Sequence, residues 1–153
     1  MKKEHTVNSV EETWELARRF APTLEAGDVV CLEGDLGAGK TTFTQGLAAA
    51  LGVPGRVTSP TFCIVQEHRA TSRPLNLSTS RPFLVHMDLY RLRGEEDVLA
   101  IGWEDYLSEG AILVVEWPER AGTLVPSDAK HVLFRHSVGE EKRIITIDIP
   151  ADF

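Results

Sequence analysis

The chain has 153 residues, 42% hydrophobic and 25% charged, which fits one soluble globular domain and argues against a fibrous or disordered chain. No run approaches ~18 apolar residues and Met1-Lys2-Lys3-Glu4-His5 starts no apolar leader, so a cytoplasmic protein without membrane attachment is expected. The net charge is −7, with 8 basic against 9 acidic side chains in residues 1–76 and 8 against 14 in 77–153; this argues against unaided binding of nucleic acid, which draws its non-specific affinity from a basic face.

Ser9-Val10-Glu11-Glu12 has capping-box spacing, and Val10, Trp14, Ala17, Ala21 and Leu24 follow at helical intervals. Pro22 bends or ends that helix, and Gly27-Asp28 closes it. Val29–Glu33 reads as a short buried strand. Helix signals resume from Lys40 to Leu51 and stop at Gly52, with Pro54 beyond. Phe62–Gln66 and Phe83–Asp88 read as strands, joined by a Ser-, Thr-, Pro- and Arg-rich insertion over Arg69–Pro82 (69–82). Glu95-Glu96-Asp97 opens a helical region running past Trp103 to Leu107. Ala111–Val115 is five apolar residues long, as a strand covered on both faces requires. His131–Val138 and Arg143–Ile149 alternate around Gly139-Glu140-Glu141-Lys142 and predict a terminal β-hairpin. Cys31 and Cys63 sit in apolar runs and read as reduced core residues. The expected fold is a single α/β domain over residues 1–153, a three-layer sandwich of the P-loop type with a mixed sheet.

Gly34-Asp35-Leu36-Gly37-Ala38-Gly39-Lys40-Thr41 fits G-x-x-x-x-G-K-[ST], between a predicted strand and a predicted helix. Glycines let successive N–H groups turn toward phosphate oxygens, and the helix adds its positive end. Lys40 then supplies a point charge for the β- and γ-phosphates, and the Thr41 hydroxyl is a ligand for Mg²⁺. The pattern points to a bound nucleoside triphosphate.

A metal held beside such a loop needs a carboxylate at a strand end, and two residues qualify. Glu116 follows Ala111-Ile112-Leu113-Val114-Val115, and Asp88 follows Phe83-Leu84-Val85-His86-Met87. His86 reads as packing. Thr58-Ser59-Pro60-Thr61 occupies the place of a loop that senses the γ-phosphate, or else is a plain Ser-Pro turn.

Taken together these segments resemble the TsaE (YjeE) family, the ATPase component of bacterial tRNA threonylcarbamoyladenosine biosynthesis. The resemblance rests on Leu32–Phe43, Ser59-Pro60-Thr61-Phe62, His86-Met87-Asp88-Leu89-Tyr90-Arg91-Leu92, Gly102-Trp103-Glu104-Asp105-Tyr106 and Val115-Glu116-Trp117-Pro118, and runs from about Ser9 to Ile149. It implies an ATPase that acts with TsaB and TsaD on the adenosine beside the anticodon of tRNAs reading ANN codons, meeting tRNA through that complex. It also implies nucleotide contacts at Gly34, Gly37, Ala38, Gly39, Lys40, Thr41 and Thr42, with Ser9 and Gly139 similar to flanking positions. The implied Mg²⁺ ligands are Thr41 and Glu116, with Asp88 close by, and the implied catalytic group is Lys40 with Glu116 and Asp88. The 69–82 insertion departs from the family pattern.

Two other classes remain open. A small-molecule or nucleotide kinase could use Arg69, Arg73 and Arg81 as a lid, and a non-hydrolysing adaptor could bind ATP without turnover. Guanine specificity is disfavoured, because neither Asn8 nor Asn76 is followed by lysine. The acids of Glu95–Glu109 are either a solvated helical face or a partner surface.

Overall fold

The structure, a computed structural model, describes residues 2–34, 39–53, 64–69, 83–137 and 142–148. Seven strands form one sheet: β1 (Lys2–Val7), β2 (Val29–Gly34), β3 (Val65–Arg69), β4 (Phe83–Asp88), β5 (Ile112–Glu116), β6 (Lys130–His136) and β7 (Arg143–Asp148). Their order is β1-β7-β6-β2-β5-β4-β3. The four inner strands β6, β2, β5 and β4 are parallel, while β3 runs antiparallel to β4, β7 to β6 and β1 to β7. The sheet is mixed, and the helices between its strands make the fold α/β, as the sequence predicts.

Alternation along the inner strands divides the apolar side chains between two layers. Val30 and Leu32 of β2 join Ile112 and Val114 of β5 against Leu16, Phe20, Phe43 and Leu47. Those last four belong to α1 (Val10–Phe20) and α2 (Lys40–Ala50). Val29 and Cys31 point the other way, toward Val98 and Trp103. These lie on α3 (Glu95–Ala100) and α4 (Trp103–Ser108). Every residue of β5 is buried, as the unbroken apolar run requires of a strand covered on both faces. Burial also pushes the Cys31 thiol up to about 12, with the charges of Glu33 and Glu119 adding to it, so this cysteine is an inert core residue.

Helix α1 begins where Ser9 predicts: its Oγ accepts the Glu12 N–H at 3.1 Å, a cap worth about 1 kcal/mol. The Glu12 carboxylate reaches back to the Asn8 N–H, one residue before the cap. Asp97 does the same for α3, accepting the Arg93 N–H at 2.9 Å. Pro22 converts the end of α1 into a short 3₁₀ turn, Ala21–Thr23.

Several boundaries differ from the sequence-based expectation. The buried face of α1 is Thr13, Leu16, Ala17 and Phe20, whereas Val10 and Trp14 are 46% and 42% exposed. The expected strand Phe62–Gln66 is found at Val65–Arg69; Arg69 pairs with Phe83, so the insertion starts one residue later, and residues 70–82 lie outside the described set. The helical region after Glu95 is broken at Gly102, where φ is +99°. Strand β1 carries no sequence signal, because only Val7 of its six residues is buried and the others are charged or polar, as suits a protected sheet edge. A 3₁₀ stretch, Pro118–Leu124, also carried no sequence signal beyond its proline. Among the described residues no helix is long and apolar enough to cross a membrane.

Packing of α1 on α2 depends on Gly46, where an added Cβ would stand 2.9 Å from Trp14 Cα and 3.0 Å from Ala17 Cβ. On a free helix, Gly→Ala gains about 1 kcal/mol. Here the clash is with backbone, and overpacking costs roughly 1–3 kcal/mol. Gly46→Ala is therefore expected to destabilise the protein; urea unfolding should show a lower midpoint at an unchanged m value.

Candidate functional site

The parallel strands all end at one edge of the sheet, and Gly34, Asp88, Glu116 and His136 are their last residues. Gly34 has φ +139°, and a Cβ there would stand 2.3 Å from the Phe134 carbonyl oxygen, so β2 can leave the sheet at this point only with glycine. Residues Asp35–Ala38 lie outside the described set, and the chain re-enters at Gly39, which starts α2 with φ +106° and no side-chain cap. The first bonded amide of α2 is that of Phe43, donating to the Gly39 carbonyl at 2.9 Å. The amides before it belong to the group that no helix satisfies internally. The first turns of α1, α3 and α4 all carry acids; that of α2 carries none. An anion arriving at α2 therefore meets a positive helix end with no acid in its first turn.

Lys40 opens this helix and is only 8% exposed. Its Nζ donates to the Gly34 carbonyl at 2.9 Å and stands 3.8 Å from Glu116 Oε1. The parallel register that sets Leu32 opposite Glu116 carries this carboxylate to the end of β2. At 3.8 Å the pair is too long for a hydrogen bond. Its attraction is about 4 kcal/mol at an effective dielectric near 20, comparable to the several kcal/mol needed to desolvate each ion. The pair adds little to stability. It keeps a cation and an anion close together and free to take other partners.

Glu116 is also held from the side. His86 Nε2 lies 2.8 Å from Glu116 Oε2, in a ring that is fully buried. Asp88 faces Glu116 directly in the β4/β5 register, and its Oδ1 accepts the Tyr90 N–H at 3.0 Å. The Asp88 N–H donates to the Ile64 carbonyl at 2.9 Å; Thr58–Thr61 lie outside the described residues.

Beyond Glu116 the chain reverses through Trp117, which has φ +57° and ψ +53° and is the only non-glycine residue with positive φ among the described residues. A bulky residue pays roughly 1–3 kcal/mol for such a conformation, and the following Pro118 restricts it further. The reversal brings the indole to 4.9 Å from the Tyr90 ring and to 5.9 Å above Lys40 Nζ. Both rings stay partly exposed, so an aromatic wall stands beside the lysine.

A family model described as "Threonylcarbamoyl adenosine biosynthesis protein TsaE" matches residues 7–145. The chain belongs to the TsaE family. It is 38% identical over 144 residues to the tRNA threonylcarbamoyladenosine biosynthesis protein TsaE of Bacillus subtilis, covering 94% of this chain and 83% of that one. The Streptomyces coelicolor protein of the same name is 41% identical over 136 residues, 87% of each chain. Among solved structures, Bacillus subtilis YdiB superposes with a TM-score of 0.72 at 30% identity, covering 96% of this chain and 84% of that one.

In this TsaE chain the fold brings Gly34, Gly39, Lys40, Thr41, Thr42, Asp88 and Glu116 to one edge of the sheet. Gly37, Ala38 and Gly139 lie outside the described residues. Gly139 belongs to the connection from β6 to β7, whose flanking pair His136 and Arg143 is at the same edge, and Ser9 follows the end of β1 there. The Ser9 side chain is engaged as the α1 cap. Sequence reasoning took His86 as packing and missed its contact with Glu116. The available signal was its place two residues before Asp88, on the same face of β4. Two of the acids in Glu95–Glu109 have structural partners: Asp97 accepts the Arg93 N–H, and Glu95 accepts the Thr123 N–H and Oγ1–H at 2.5 and 2.6 Å. That leaves Glu96, Glu104, Asp105 and Glu109 as the exposed part of the run.

Trp117 should report on this site. A triphosphate that draws Lys40 from beneath the indole changes its surroundings, so adding ATP is expected to shift the fluorescence, and Trp117→Phe to abolish the shift while Trp14→Phe preserves it.

Proposed function

We propose that this chain is a Mg²⁺-dependent ATP-binding and ATP-hydrolysing protein of the cytoplasm. It serves threonylcarbamoylation of the adenosine next to the anticodon in tRNAs reading ANN codons. TsaB and TsaD are its partners, and tRNA is met through their complex, which suits a chain of net charge −7. The observation that carries the reading is buried Lys40, at the head of an acid-free helix and 3.8 Å from Glu116, in a member of the TsaE family.

The residues present fit a magnesium nucleotide. Two strand-end carboxylates, Asp88 and Glu116, are register partners, and Glu116 stands 3.8 Å from the Lys40 ammonium; the acidic excess suits a divalent cation. Magnesium usually takes one or two carboxylates together with substrate phosphates. In this reading Glu116, with Asp88 and the Thr41 hydroxyl, would hold the ion, which when bound neutralises charge on the phosphates. The α2 amides and the 34–42 loop bind the phosphate chain. Lys40 exchanges the Gly34 carbonyl for phosphate oxygens, and Trp117 and Tyr90 shield that end of the site from water. Glu116 orients the attacking water.

Two predictions follow from these roles. Lys40→Ala removes the charge that meets the phosphates without opening the core, so it should strongly weaken ATP binding or turnover while leaving the fold intact, as circular dichroism would check. Glu116→Ala should impair Mg²⁺-dependent turnover more than ATP binding, since Lys40 and the amides still hold the phosphates. Undiminished turnover in Glu116→Ala would move the role to Asp88.

Partner dependence is the second expectation. The Thr58-Ser59-Pro60-Thr61 loop contains no glutamine to orient a water, and Arg91 is the arginine near the site; an arginine supplied in trans is worth roughly 10³–10⁵ in rate. Hydrolysis by the isolated protein is therefore expected to be slow and to accelerate with TsaB and TsaD. The assay is phosphate release with product analysis. A phosphorylated acceptor would favour a kinase, no turnover even with partners an adaptor, and fast unaided hydrolysis would contradict the dependence.

A further inference from the structure

We propose that His86 is a positioning residue for Glu116: its Nε2–H fixes the carboxylate so that Oε1 stays turned toward Lys40 and the phosphate end of the site. The proposal rests on the ATP site described above.

Burial sets the problem. A buried imidazole costs free energy unless it is hydrogen-bonded, and in this chain an apolar residue would fill the same place among Leu84, Val114 and the inner face of the sheet. His86 is fully buried, yet its Nδ1 has no hydrogen-bond partner. Among the described residues its one hydrogen bond is the 2.8 Å contact to Glu116 Oε2. An ionised carboxylate only accepts, so the facing nitrogen carries the hydrogen, and the tautomer is set by Glu116 itself.

From the carboxylate's side the dependence is mutual. Among the described residues His86 is the one side chain that hydrogen-bonds Glu116, since Lys40 stands at 3.8 Å. Without His86, rotation about the last side-chain bond of Glu116 would exchange its two oxygens at no cost in hydrogen bonds. With it, Oε2 is engaged on the β4 side and Oε1 is left for Lys40, a cation or a water. The backbone fixes the same geometry, because Leu89 N–H donates to the Glu116 carbonyl at 3.1 Å and ties the end of β4 to the end of β5. Partners of this kind, which orient a ligating group without touching the ion, typically change metal affinity or activity by about 10–100-fold when removed.

The test compares three variants with the parent. His86→Gln can donate from the position of Nε2, the shorter amide of His86→Asn cannot reach it, and His86→Leu keeps the volume without a donor. Thermal melts check folding, and the Asn and Gln pair carries the test if the leucine variant does not fold. The readouts are ATP affinity by Trp117 fluorescence in EDTA and in Mg²⁺, and kcat and KM with TsaB and TsaD. All folded variants should bind ATP in EDTA as the parent does. His86→Asn and His86→Leu should lose most of the Mg²⁺-dependent gain in affinity and about tenfold or more in kcat at unchanged KM, while His86→Gln recovers both. In nucleotide-free protein, the melting shifts of His86→Asn and Glu116→Gln should be non-additive in the double variant.

Parent-like Mg²⁺ gain and kcat in His86→Asn would overturn the proposal, as would equal losses in the Asn and Gln variants or additive melting shifts. A parent that binds no ATP would overturn the nucleotide site and this proposal together, whereas normal ATP binding with any of those three results overturns the proposal alone.

Discussion

A carboxylate and an ammonium held in a protein interior without direct contact depend on what surrounds them. Lys40 and Glu116 are each less than a tenth exposed and stand 3.8 Å apart, so neither satisfies the other. Lys40 is completed by the Gly34 carbonyl and Glu116 by His86. Each of those partners is placed by a strand end: β2 must stop at a glycine, β4 must set His86 two residues before Asp88, and β5 must deliver Glu116 opposite Leu32 and Asp88. The parallel register of the central strands is therefore the condition on which the site stands, and the apolar layers on either face are what keep that register in place.

Most of this architecture is written in local signals. The glycine pattern before Lys40, the apolar run before Glu116 and the Ser9 cap each depend on neighbours a few residues away, and each lies where the sequence places it. What the sequence leaves unreadable is cooperative between distant segments. Strand β1 looks like a charged tail until β7 pairs with it, and Val10 with Trp14 looks like an inward stripe until α2 packs one turn round the helix instead. His86 looks like core filling for the same reason. Its meaning is set by residue 116, thirty positions away.

The acids show how one composition can conceal two uses. Glu12 and Asp97 reach back to the amide just outside the start of their helices, and Glu95 bridges to Thr123 on the 3₁₀ stretch. The hydrogen bonds from Thr123 hold the Glu95 carboxyl below the usual glutamate range. In contrast, the α2 terminus is left bare of acids. The other three α-helices carry acids in their first turns; the helix that faces the candidate site carries none.

The pairing of β1 with β7 has one more consequence. Lys2 is the register partner of Asp148, at the end of the sheet opposite Lys40. The first and last described residues are thus neighbours, separated from the candidate site by the length of a six-residue strand, about 17 Å. A surface tether or a fluorophore attached at Lys2 or Asp148 stands clear of the candidate-site edge. A short linker could also join the ends and let the chain be reopened elsewhere, a circular permutation for which closely spaced termini are the geometric requirement.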